Sequence, residues 1–367
     1  MIGLEKFPKT IAVIQQGIEK EWHFGAQVYI SQDQEALADF AIGSKDQEKT
    51  KPMRTDSLIG WMSCSKMITA VAVGLLWEQR RLDFNWPVAQ IIPEFACHGK
   101  EEITFTHLLT HTCGIRNIQV RWENHSWDEL IAKICELPVE EDWTIGQSAG
   151  YHVATSWMIL GEAIQRISGQ KVADFIEEEI FSPLDMNNSF LDCSKEEWQE
   201  KQEQIAPFFD TWSRPRIQRD KFNDSLNNCK PGSSGRGPIR ELGIFMEMLF
   251  AKGDFDGIEV LKDETIDVLT SPYRQGMVDQ TFGQVIDWGL GIMLDSKKYG
   301  KPYPYNFGPF CSETTFGHNG NQSSAAYVDP ENDLVICFAF NGMPGEINHQ
   351  TRLDAINRAI YEDLGLN

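Results

Sequence analysis

The chain has 367 residues, 41% of them hydrophobic and 24% charged. That composition suits about two globular domains, and excludes disorder, collagen-like repeats and a disulfide-stapled miniprotein. With 33 basic and 54 acidic residues the formal charge is −21, a surface that repels phosphate backbones, so nucleic acid is not an expected partner.

Ile11, Ile14, Ile18 and Trp22 recur at helical spacing and predict an opening amphipathic helix. Glu5, Lys6, Lys9, Gln15 and Gln16 stand where a secretory signal would need its apolar stretch, so the expected location is the cytoplasm. Gly25–Ser31 and Ala36–Ile42 read as two strands joined by the polar turn Gln32 to Glu35. Helical patterns follow at Met67–Arg81, His107–Thr112, Ser156–Ile167 and Ile239–Ala251, and Ser194–Gln204 reads as a solvated helix face or loop. Ser324–Val328 and Leu334–Phe340 flank Asp329-Pro-Glu-Asn-Asp333, a second hairpin signal. Leu353, Ile356, Ile360 and Leu364 give a closing helix. The near-apolar run Met67–Trp77 is about half the length that crosses a bilayer, so it predicts a buried helix and no membrane span.

Both ends are therefore mixed helix and strand, and the middle is mostly helical. The expected fold is α/β (α+β), an antiparallel sheet flanked by terminal helices. Residues 1–60 and 285–367 form this split sheet domain, and 61–284 an inserted, mostly helical domain. The eight cysteines are scattered singly, without a CxxC pair or a Cys/His cluster, which fits reduced thiols and excludes a zinc ribbon.

Chemistry concentrates at Ser63-Cys-Ser-Lys66, at the head of the buried helix. Residues three apart share a helix face, so the Ser63 and Lys66 side chains can meet. A serine at a helix start lies beside free N–H groups and the positive dipole end, which favour developing negative charge. A lysine among apolar neighbours is driven toward its neutral form, in which it can take a proton from a hydroxyl.

Ser63-Cys-Ser-Lys66 is followed by Arg81-Leu-Asp83, Pro87-Val88, Ile92-Pro-Glu-Phe95, then Ile103-Thr-Phe-Thr-His-Leu-Leu-Thr-His-Thr112 and Gly114. This succession resembles the serine β-lactamase and penicillin-binding-protein superfamily, and within it the esterase-like branch related to class C enzymes. The resemblance runs from about Gly25 to Gly342. The expected active site then lies in the cleft between the two domains. The family's tyrosine-x-asparagine loop matches Gly150-Tyr151-His152-Val153. The resemblance implies that Tyr151 shares proton transfer with Lys66, and makes His152 and Val153 substrate-binding candidates. Val153 stands where asparagine is usual, and a valine cannot hydrogen-bond a substrate amide.

The family's third motif matches Phe316-Gly-His-Asn-Gly320, before the second hairpin. On the resemblance His318 lines the cleft, Gly320 lets substrate approach the strand, and the backbone N–H groups of Ser63 and Asn321 form the oxyanion hole. His107 and His111 belong to a stretch that the family keeps for structure, and Cys64 points off the catalytic face. Gly232-Ser-Ser-Gly-Arg-Gly-Pro238 lacks the lysine of a phosphate loop; it reads as a cleft-lining loop, with Arg236 a candidate for meeting an acidic substrate group.

The expected function is a serine hydrolase that forms an acyl-enzyme on Ser63, a carboxylesterase for small acyl esters, with no metal or organic cofactor and a small-molecule acyl substrate as partner. An acyltransferase using the same acyl-enzyme, a β-lactamase or D-amino-acid peptidase, and a non-catalytic binding protein are the alternatives.

Overall fold

The computed structural model describes residues 1–116, 118, 122–213, 216–218, 229–300 and 305–367. Six antiparallel strands make the main sheet. In chain order they are β1 (Gly25–Gln32), β2 (Glu35–Gly43), β3 (Met293–Leu294), β4 (Phe316–Asn319), β5 (Ser324–Asp329) and β6 (Leu334–Phe340). Their spatial order is β3-β4-β5-β6-β1-β2, so strands from the two ends of the chain join where β6 pairs with β1. The β1–β2 hairpin closes in two residues, Asp33 and Gln34, both with positive φ (50° and 62°). A turn of that handedness matches the twist of the strands it joins.

Strand β6 shows how one apolar run serves two cores. Every residue from Leu334 to Phe340 is buried. Side chains alternate across a strand. Ile336, Phe338 and Phe340 therefore enter one hydrophobic cluster, while Val335, Cys337 and Ala339 enter the other. The first cluster packs under α1 (Pro8–Glu19) and the closing helix α5 (Glu346–Leu364), through Ile14, Leu353, Ile356 and Ile360. Asp363 accepts hydrogen bonds from the Thr10 N–H and hydroxyl at 2.9 and 2.8 Å and ties the two terminal helices together.

The opposite cluster joins the sheet to the helical part. Helix α2 (Ser65–Glu78) is buried at every residue from Ser65 to Leu76, as its apolar run predicts. It packs with α3 (Thr155–Ser168) and shares its hydrophobic cluster with α4 (Ile239–Phe250). Helix α4 links the two parts of the chain. It comes from the segment 61–284, yet it lies directly on β1, β5 and β6. Gly243 permits this approach, since a Cβ there would stand 2.2 Å from the Tyr29 ring, and the Tyr29 hydroxyl donates to Glu247 at 2.7 Å one turn later. Conversely, Leu58–Gly60 leaves the main sheet and pairs with Ile205–Ala206 and Arg236–Gly237.

The solvated stretch near residue 200 is a helix, Lys195–Lys201, with no buried residue and a capping box from Ser194 and Glu197. All eight cysteines are free thiols. Among the described residues no helix is long and apolar enough to cross a membrane.

Candidate active site

A short 3₁₀ turn, Met62–Cys64, leads into α2 and carries Ser63. Met62 has φ 51°, a left-handed conformation costly for a long side chain. The turn is held in it from both sides: the Trp61 N–H donates to the Gly235 carbonyl at 2.7 Å, and the Ser324 hydroxyl donates to the Trp61 carbonyl at 2.8 Å. Neither the turn nor α2 has a side-chain cap, so Ser63 is not spent as a helix cap. Its side chain is 8% exposed.

Lys66 lies one turn further on and is fully buried. Its Nζ is 3.2 Å from Ser63 Oγ, 3.1 Å from the Val153 carbonyl and 2.9 Å from the Gly232 carbonyl. No carboxylate approaches it among the described residues. Burial lowers its ammonium from the ordinary lysine range to about 7. A neutral amine has two N–H donors and one lone pair. Two carbonyls match the donors, which leaves the lone pair for the Ser63 hydroxyl.

Tyr151 closes the group. The Lys66 amine stands 5.1 Å from the centre of its ring. Burial raises the phenol well above its ordinary value, with the Tyr305 phenol adding to the effect and the Ser63 side chain opposing it. The phenol is thus neutral and a proton donor. Its main chain is clamped at both ends: the Tyr151 N–H donates to Asp279 Oδ1 at 3.1 Å, and the Thr281 hydroxyl donates to the Tyr151 carbonyl at 3.2 Å. Asp279 also accepts from the Thr281 and Phe282 N–H groups and pairs with Arg274 at 2.7 Å, both charges being buried.

The remaining sequence candidates divide. His318 is 3% exposed and sits beside Tyr151, their ring centres 6.0 Å apart. Its Nδ1 lies 2.7 Å from the Asn319 carbonyl, which places the proton on Nδ1 and leaves Nε2 as an acceptor. Burial and the Lys66 charge lower its pKa to about 3, so it is neutral. Asn321 is exposed on the turn after β4, and its N–H makes no hydrogen bond among the described residues. Gly320 brings two walls together: a Cβ there would stand 2.1 Å from Ser324 Oγ and 2.8 Å from the Trp61 carbonyl. It therefore seats the β4 end against the Ser63 turn.

Two corrections follow from burial. His152 does not face the cleft. It is fully buried, and its Nε2 accepts from the Ile115 N–H at 3.1 Å with the Cys113 thiol 3.2 Å away. Neighbouring Tyr151 takes the cleft side, and the next residue in this extended loop must turn inward. Arg236 is also inside, where its guanidinium donates to the Leu58 carbonyl at 3.0 Å and lies over the Trp198 ring. It staples the small sheet and offers no cation to a substrate acid. Val153 keeps an exposed side chain and gives its carbonyl to Lys66. His111 accepts the His152 N–H at 3.0 Å and packs under Tyr151, a structural place as expected.

Sequence reasoning missed Asp279, Arg274, Thr281, Trp288 and Tyr305 around Tyr151, and Gln322 behind the Asn321 turn. None lies in a motif. Among the described residues no three metal-binding side chains come together.

The profile of the Beta-lactamase family matches residues 10–359. The chain belongs to the Beta-lactamase family. Similar proteins include an N-acetylmuramyl-L-alanine amidase of Bacillus subtilis, 22% identical over 82% of this chain and 71% of its own. The esterase EstB of Burkholderia gladioli is 27% identical over 57% of this chain and 56% of its own. A family VIII carboxylesterase of known structure superposes with TM-score 0.79 at 23% identity, covering 99% of both chains. This Beta-lactamase family chain is accordingly a serine hydrolase with a β-lactamase-like α/β fold.

Proposed function

We propose that the chain is a carboxylesterase for small acyl esters, working through an acyl-enzyme on Ser63. The observation that carries this reading is the Lys66 amine, matched by two carbonyl acceptors and left with its lone pair toward Ser63. In the first step Lys66 takes the Ser63 proton as Oγ bonds to the acyl carbon. The carbonyl oxygen becomes an oxyanion held by the Ser63 and Asn321 N–H groups. The carbon–oxygen bond to the alcohol then breaks, Tyr151 passes its proton to the leaving oxygen, and Lys66 returns a proton to Tyr151. Water repeats the sequence on the acyl-serine ester, releases the acid and restores Ser63.

The esterase and carboxylesterase relatives support an ester substrate. So do Val153 and His318: the site lacks an amide partner at the first position and a cation at the second. Kinetics of Ser63→Ala, Lys66→Ala, Tyr151→Phe and the Lys66/Tyr151 double variant on a p-nitrophenyl ester test the reading. Ser63→Ala should lose several orders of magnitude, and the Lys66 and Tyr151 losses should not multiply, because both groups handle one proton. Independent multiplicative losses, or a Ser63→Ala enzyme keeping more than about a tenth of the rate, would refute it.

A further inference from the structure

Arg352 is a buried cation without a task in the chemistry above. It projects from α5 with no carboxylate beside it among the described residues, and burial works against its charge. Its guanidinium donates instead to the carbonyls of Gln322 at 3.0 Å, Gly342 at 3.2 Å and Trp22 at 3.4 Å. It also donates to Nδ1 of His23 at 3.0 Å and of His349 at 3.2 Å. His23 turns Nε2 to the Ile14 carbonyl at 3.1 Å, so its proton sits there and the ring meets Arg352 as a neutral acceptor. A buried charge held only by neutral groups is costly. One of those groups, the Gln322 carbonyl, belongs to the turn that carries Asn321.

That turn, residues 320–323, joins β4 to β5. Inside it the Gly320 carbonyl accepts the Ser323 N–H at 3.2 Å. Across a trans peptide the N–H points opposite to the carbonyl, so the Asn321 N–H faces out of the turn. The turn lies against the nucleophile's own: a Cβ on Gly320 would stand 2.8 Å from Met62, the residue before Ser63. Next to Asn321, Gln322 has φ 47°, a left-handed conformation that side chains of its kind rarely adopt. The closing helix and its approach hold it there at three atoms. Arg352 takes the carbonyl, the Gly345 N–H donates to Oε1 at 2.7 Å, and Nε2 donates to Glu346 Oε1 at 3.0 Å.

We propose that Arg352 is a positioning residue of the oxyanion hole: through the Gln322 carbonyl it locks the turn whose Asn321 N–H receives the acyl oxygen. Such a donor works only when it is aimed at the place where the oxyanion forms. This rests on the oxyanion-hole assignment in the ester-hydrolase reading and adds the group that keeps the hole in register.

The test compares kcat/KM for p-nitrophenyl acetate with that for O-(p-nitrophenyl) thioacetate, in which sulfur replaces the carbonyl oxygen. Sulfur is a weak acceptor, so an aligned hole favours the oxygen ester, by about a hundredfold beyond the preference of hydroxide. A merely structural arginine would change the amount of folded enzyme, which cancels in this ratio. Arg352→Met should lower the oxygen preference about tenfold, and Arg352→Lys, which keeps the charge and a donor for the carbonyl, should restore part of it. Gln322→Gly suits the left-handed φ but drops the hold on Gly345 and Glu346, and should lower the preference about threefold. A wild-type oxygen preference in Arg352→Met, or in Gln322→Gly where Arg352→Met does not fold, would overturn the positioning role alone. A wild-type enzyme with no more oxygen preference than hydroxide would instead remove the oxyanion hole on which it stands.

Discussion

The Asp279 carboxylate reaches across 128 residues of sequence to accept the backbone N–H of Tyr151 at 3.1 Å. Its second oxygen is paired with Arg274, and neither charge meets solvent. Tyr151 is therefore placed by its main chain, on a buried ion pair that has no contact with the nucleophile.

Asp279→Asn should accordingly lower kcat more than KM. The amide keeps an acceptor for Tyr151, but turns a donor toward Arg274 and leaves that buried charge only the Thr110 carbonyl as a hydrogen-bond acceptor. Breaking a buried pair costs about 3–5 kcal/mol of stability. Urea unfolding should show that loss and steady-state kinetics the kcat effect. Wild-type kcat in a folded variant would deny Asp279 its positioning role.

The pH profile follows from Lys66. As a base it works only when neutral, and burial has lowered its ammonium to about 7. kcat/KM for a neutral ester should thus rise as pH increases through about 7 and level off above it, reporting the free enzyme. His318, held near 3, and Tyr151, pushed well above its ordinary value, titrate outside that window. A profile flat from pH 5 to pH 9 would remove Lys66 as the titrating base.

Esters should be far better substrates than cephalosporins. Val153 leaves a lactam side-chain amide without its partner, at about 1–3 kcal/mol, or roughly tenfold to a hundredfold. Neutral His318 offers no positive charge to the lactam's own carboxylate. The comparison is kcat/KM for a p-nitrophenyl acyl ester against a chromogenic cephalosporin on one preparation. A faster cephalosporin would mean that Val153 has been misread.

Much of this architecture was legible because its signals are local. Apolar strands joined by polar turns, the apolar run of α2 and the i, i+3 spacing of Ser63 and Lys66 need only neighbouring residues, and each appears in the structure. The Lys66 partners were illegible for a different reason: they are the carbonyls of Val153 and Gly232, which any residue type would supply. Asp279 and Gln322 act through contacts distant in sequence, and one chain gives no sign of such pairings. His152 and Arg236 were misjudged because their motif position says nothing about which way a loop side chain turns. Helix α4 read correctly as a helix, but its seat on the sheet depends on Gly243 meeting Tyr29, a packing fact without a periodic signature.

The central claim is a covalent acyl group on Ser63, and intact-protein mass measures it directly. The chain is mixed with p-nitrophenyl acetate at neutral pH, quenched in acid within the first turnovers, weighed, and digested to locate the label. The account predicts a mass increase of one acetyl group on the peptide containing Ser63, absent from Ser63→Ala and lost from the wild type once the ester is consumed. Ester hydrolysis without any adduct on rapid quenching, or an adduct that persists in Ser63→Ala, would contradict it.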